Sequence, residues 1–97
     1  MFGSVFKVRP KPGKFDAIIE MNQREYGGRA KIAGWQRSYV LRESNGDVWT
    51  LAIFDGEESY RKNAAAPEQD KRYRQLREMI EADPEWHDGA IIEERPA

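Results

Sequence analysis

The chain has no cysteine and a single histidine among its 97 residues. The first absence excludes disulfides, thiolate catalysis and cysteine-ligated metal, and the second leaves too few ligands for a recognisable zinc site. No metal and no other cofactor is expected. An excess of one charge is missing as well. With 16 basic and 17 acidic residues the formal charge is −1, which offers no electrostatic reason to approach nucleic acid or an anionic membrane. No apolar run nears the roughly 18 residues of a membrane span. Met1 to Pro10 alternates apolar with polar residues, where a signal peptide would be continuously apolar. The expectation is a cytoplasmic protein without nucleic-acid or membrane partners. Phosphate-cradling glycine loops are lacking too, because Gly27-Gly28 follows a helical stretch instead of opening one.

What is present is a clear order of periodicities. At 39% hydrophobic residues, the length suits one domain over residues 1–97, burying roughly two-thirds of its unfolded surface. Phe2, Phe6 and Val8 alternate with Lys7 and Arg9, a strand stopped by Pro10 and Pro12. From Lys14 the spacing changes to Phe15, Ile18, Ile19, Asn22 and Tyr26, the stripe of an amphipathic helix ended by Gly27-Gly28. Trp35 to Glu43 and Asp47 to Asp55 alternate again around Ser44-Asn45-Gly46. Asn-Gly in that setting predicts a two-residue type I′ hairpin, pairing Arg42 with Trp49, Val40 with Leu51 and Ser38 with Ile53. A short helical turn over Glu57 to Asn63 follows, then a helix from Pro67 to about Ala82, stopped by Asp83-Pro84. Gly89 to Arg95, centred on Ile91 and Ile92, is the expected last strand, which leaves Trp86, His87 and Asp88 in a loop.

This βαββαβ order predicts an α+β, ferredoxin-like chain: a four-stranded antiparallel sheet with helices on one face. Both faces of the hairpin carry large apolar groups, Trp35, Tyr39, Leu41 and Phe54 on one and Val40, Trp49, Leu51 and Ile53 on the other. An apolar sheet face without helices calls for a cover, and a second copy packed sheet to sheet about a two-fold axis is the simplest. A homodimer through the sheet face is expected.

Three stretches carry a resemblance. They are Phe6-Lys7-Val8 with Pro12-Gly13-Lys14-Phe15, then Trp49-Thr50-Leu51-Ala52-Ile53-Phe54 with Glu57-Glu58-Ser59-Tyr60, and the run from Glu81 to Gly89. With them, nearly the whole chain resembles the antibiotic biosynthesis monooxygenase-like family of the dimeric α+β barrel superfamily. That family includes cofactor-independent monooxygenases of polycyclic phenols, quinol monooxygenases and haem-degrading enzymes. The resemblance implies a dimeric barrel with a ligand cavity between helices and sheet in each subunit. The haem-degrading members use an asparagine on the first strand, a tryptophan ending the third and a histidine on the last long helix. None of these stands in Phe2 to Val8, at Phe54, or between Pro67 and Ala82.

The function so implied is a cofactor-independent monooxygenase acting on an aromatic or quinol-like small molecule. The alternative is a non-enzymatic dimeric module that binds a small ligand or serves assembly. Asn22 interrupts an apolar stripe, so its amide needs a protein or ligand partner. Arg37, set among Tyr39, Leu41 and Phe54, needs an anion, carbonyls or a carboxylate across the dimer. His87 is either a base near neutral pH or a loop side chain bonded to Asp88. In the oxygenase reading Asn22, Arg37 and Tyr39 orient and stabilise a phenolate, and His87 or water accepts its proton. Trp35, Trp49, Phe54, Tyr73 and Trp86 are the candidate walls for an aromatic substrate, with core or dimer packing as the competing use.

Overall fold

A computed structural model describes residues 1–26 and 32–97; the Gly27-Gly28 stop signal lies outside the described residues. The elements run β1 (Phe2–Val8), α1 (Phe15–Tyr26), β2 (Trp35–Arg42), β3 (Val48–Phe54), α2 (Glu57–Ala64), α3 (Pro67–Glu78) and β4 (Glu85–Ala90). The strands form one antiparallel sheet in the order β2-β3-β1-β4, the ferredoxin-like α+β arrangement expected from the periodicities. Among the described residues no helix is long and apolar enough to cross a membrane.

Helix starts and stops follow local chemistry. Lys14 accepts the first α1 bond from Ile18, Asp16 sits in the first turn and Arg24 in the last, each suited to the helix dipole. Pro67 opens α3 behind an extended Ala66. The α3 helix ends at Glu78, short of the expected Ala82, because long-range backbone bonds take over. Lys11 N donates to the Met79 carbonyl and Glu81 N to the Arg9 carbonyl, so Ile80 pairs with Pro10 instead of continuing the spiral.

Two further expectations are corrected. Glu43 N donates to the Asp47 carbonyl at 2.8 Å and Gly46 N to the Glu43 carbonyl at 2.9 Å, so the hairpin loop holds three residues, 44–46. Only Gly46, at φ +93°, is left-handed; Asn45 is not, which excludes the type I′ turn. The register therefore slips by one, pairing Leu41 with Trp49, Val40 with Thr50 and Tyr39 with Leu51. Such a slip exchanges the faces of one strand relative to the other. The last strand, in turn, is Glu85–Ala90 and not Gly89 to Arg95, since β1 pairs Phe6 with Trp86 and Ser4 with Asp88. Trp86, His87 and Asp88 are thus strand residues, while Ile92, beyond β4, is exposed.

Among the described residues the three helices cover one sheet face. Val8, Ile18, Val48 and Ile80 form the buried cluster at one end of that layer, flanked by Phe6, Phe15, Leu76 and Met79. The other face, with Lys7, Arg37, Tyr39, Leu41, Trp49, Leu51, Ile53, Glu85 and His87, carries no helix.

Candidate functional site

Period-2 alternation sends Ser4, Phe6 and Val8 of β1, Val48, Thr50, Ala52 and Phe54 of β3, and Trp86 and Asp88 of β4 toward the helices. The helices do not close onto this floor everywhere. Between them lies a cavity of about 580 Å³, roofed by Met21 and Asn22 of α1, Tyr60 and Asn63 of α2, and Arg72, Tyr73 and Leu76 of α3. That volume falls in the range of small-molecule sites, and its walls are mainly aromatic and aliphatic.

The aromatic walls are mutually braced. Phe6 and Trp86 rings lie 4.3 Å apart, and Tyr60 is tilted on Phe2 at 5.1 Å and edge-on to Phe54 at 5.4 Å. Trp35 donates its indole N–H to Ser38 Oγ at 2.8 Å. Tyr73 reaches out to Asp83, its hydroxyl 3.4 Å from Oδ1, and burial followed by that carboxylate raises its pKa.

Polar side chains also line the cavity. Ser4, only 2% exposed, donates to Asp88 Oδ1 at 2.6 Å, and the Tyr60 hydroxyl donates to Ser4 Oγ at 3.4 Å. Burial, reinforced by Asp88, raises the Tyr60 pKa, so this phenol holds its proton across the neutral range. From the roof comes Arg72, its side chain 15% exposed, with its Nε 3.7 Å from Glu25 Oε2 and its Nη1 3.4 Å from Gln69 Oε1. Asn22 and Asn63 line the same space.

The residues singled out in the sequence divide between the two faces. Asn22, Trp35, Phe54, Tyr73 and Trp86 line the cavity. Arg37, Tyr39, Trp49 and His87 lie on the helix-free face, so the four candidates for phenolate and proton chemistry, Asn22, Arg37, Tyr39 and His87, are not brought together. Arg37 Nη1 donates to the Tyr39 hydroxyl at 3.4 Å, and that bond raises the guanidinium pKa. His87 Nε2 is 3.1 Å from Glu85 Oε1, not bonded to Asp88, and Trp49 donates to Glu43. Neighbours in sequence thus part company, because Asp88 faces the cavity and His87 faces away. The sequence reading passed over Ser4, Asp88 and Arg72. Ser4 had a signal of the kind that marked Asn22, a polar residue interrupting the inward series Phe2, Phe6, Val8.

No model of a known protein family matches the sequence, and no curated protein matches it. Solved structures do match. A candidate antibiotic biosynthesis monooxygenase from Chloroflexus aurantiacus is 23% identical, with a TM-score of 0.75, over 98% of this chain and 96% of that one. Another candidate of the same name, from Deinococcus radiodurans, reaches a TM-score of 0.83 at 11% identity, over 100% and 98%. The chain has the antibiotic biosynthesis monooxygenase fold. A third structure with this fold is a variant of SnoaB, a cofactor-independent oxygenase from Streptomyces nogalater, at 18% identity and a TM-score of 0.72 over 99% and 95%. All three lie below 25% identity, so the likeness establishes the fold, and the chemistry must be argued from the cavity.

Proposed function

We propose that this protein is a cofactor-independent monooxygenase of a phenolic or quinol-like aromatic compound, working as a cytoplasmic homodimer. The observation that carries the reading is the cavity of about 580 Å³ whose walls combine aromatic rings with polar side chains. SnoaB, an oxygenase of the same fold, supports it.

The chemistry asks little of the protein. A ring ketone with a conjugated CH₂ passes to its phenol tautomer as one CH₂ hydrogen moves to the oxygen. Loss of that phenol proton leaves an anion shared between the oxygen and the ring CH, and this electron-rich anion passes an electron to dioxygen. The radical pair combines into a carbon–oxygen bond. The resulting peroxide loses water, leaving a ring carbonyl, so that one oxygen atom is retained and the other departs with both CH₂ hydrogens. The protein must bind the ring, stabilise the phenolate oxygen and keep water out. Asn22 and the guanidinium of Arg72 are the donors aimed at the phenolate; Trp35, Phe54 and Trp86 hold the ring system. Arg37, Tyr39, Trp49 and His87 take the other task, the contact between copies. Tyr39 and Leu41, 55% and 58% exposed beside Leu51 and Ile53, support a sheet-to-sheet interface there.

Oxygen uptake by the purified protein, with chelator present and a panel of hydroquinones and polycyclic phenols, tests the reading. Uptake well above the uncatalysed rate is expected, with Asn22→Ala lowering it about a hundredfold. A panel member that binds without any uptake would replace the oxygenase with a ligand-binding module.

A further inference from the structure

A cavity that ionises a phenol must send the proton somewhere. The only histidine faces away from this cavity, but two hydroxyls in its wall, those of Tyr60 and Ser4, run to the Asp88 carboxylate, which also lines the cavity and is exposed at the sheet edge. Tyr60 stands in the wall with its hydroxyl donating to Ser4 Oγ; Ser4, buried on the central strand β1, donates to Asp88 Oδ1 at 2.6 Å; and Asp88 sits on the edge strand β4 as an exposed residue. Each hydroxyl has a single proton, so the directions of these two bonds orient the chain. With its proton committed to Ser4, the Tyr60 oxygen has a lone pair left for a donor in the cavity.

We propose that Tyr60, Ser4 and Asp88 form a proton relay that takes the proton of a bound neutral phenol from the cavity to the edge of the sheet. The inference rests on the phenol-oxidising reading of the same site. The ligand O–H bond breaks as a Tyr60 O–H bond forms; the former Tyr60 proton moves to Ser4 Oγ, and the former Ser4 proton to Asp88 Oδ1. One proton enters at Tyr60 and one arrives at Asp88, no electrons are transferred, and solvent at the exposed edge removes the proton. Burial keeps Tyr60 protonated at neutral pH, as a relay member must be. The length of the Tyr60–Ser4 bond, 3.4 Å, is of the kind that tightens when a ligand fills the site. The substrate class narrows accordingly to neutral phenols, because the Asp88 carboxylate repels a ligand that carries its own anion into this end of the cavity.

The test uses the full chain, 1,8-dihydroxyanthrone for turnover, and 1-naphthol with its methyl ether for binding. Ser4→Ala and Tyr60→Phe, checked by circular dichroism for folding, are each expected to lower oxygen uptake about a hundredfold while the anthrone still binds. Asp88→Ala is expected to lose activity and regain it with added formate, which Ser4→Ala does not. Unchanged uptake in folded Ser4→Ala or Tyr60→Phe overturns the relay, as does an Asp88→Ala loss that formate leaves untouched. If the unaltered protein consumes no oxygen, the oxygenase reading fails and binding decides the relay alone. The relay then requires that 1-naphthol bind about fivefold more tightly than its methyl ether and that Tyr60→Phe erase the difference. Equal binding of the pair, or no binding of either, overturns it.

Discussion

Replacing Ile80 with alanine would remove a side chain that is 0% exposed and packed with Val8, Ile18 and Val48. Three carbons leave the core, worth about 2.4 kcal/mol at roughly 0.8 kcal/mol per buried methylene. A cavity contribution adds to this, and such truncations cost about 2–5 kcal/mol in total. The backbone decides where in that range the site falls. Lys11 N to the Met79 carbonyl and Glu81 N to the Arg9 carbonyl, both 2.9 Å, hold the chain on either side of Ile80, so it cannot sink into the void. We expect a loss of about 3–4 kcal/mol, a large part of the stability of a small domain, and a fall in midpoint of about 15–25 °C. Urea and thermal unfolding followed by circular dichroism would read it, with Ile92→Ala as a control. Ile92 is 95% exposed, and its truncation should change stability by less than about 0.5 kcal/mol. A loss below about 1 kcal/mol for Ile80→Ala would refute the pinned-backbone reasoning.

Three more outcomes follow from the geometry. Arg9 Nε lies 2.7 Å from Asp47 Oδ1 and holds that carboxyl below its ordinary value, so the unfolded chain binds more protons in acid and stability drops as pH falls below about 4; acid titration of Asp47→Asn should show a shallower decline. Gly34→Ala, at φ +80° with its new Cβ overlapping Ser59, should cost about 2–3 kcal/mol, whereas Gly46→Ala, at φ +93° with open space, should cost only about 1–2 kcal/mol in urea unfolding. Sedimentation should find a dimer that Leu51→Lys converts to a folded monomer, and a monomeric unaltered protein would sink the sheet-face interface.

Periodicity by itself determined the type and order of the elements, because a stripe such as Phe15, Ile18, Ile19 and Asn22 has one face to bury whatever lies opposite it. The βαββαβ order that results admits few arrangements, and the ferredoxin-like sheet was legible from it. Tertiary pairing decided what alternation leaves open. Whether Asn45 turns left-handed, and so whether Arg42 meets Trp49 or Val48, depends on how the hairpin closes, and that one-residue difference moved Arg37 and Tyr39 to the face opposite Phe54 and away from the cavity. Likewise β4 is defined by the partners β1 offers it. The apolar Ile91-Ile92 pair drew the expected strand too far along the chain, while Trp86 and Asp88 took the inward places opposite Phe6 and Ser4. The amide of Asn22 could be found on one helix, but the chain from Tyr60 through Ser4 to Asp88 joins residues 84 positions apart in sequence. Local pattern sets which face of an element is apolar; only the packed sheet brings three such elements to one point.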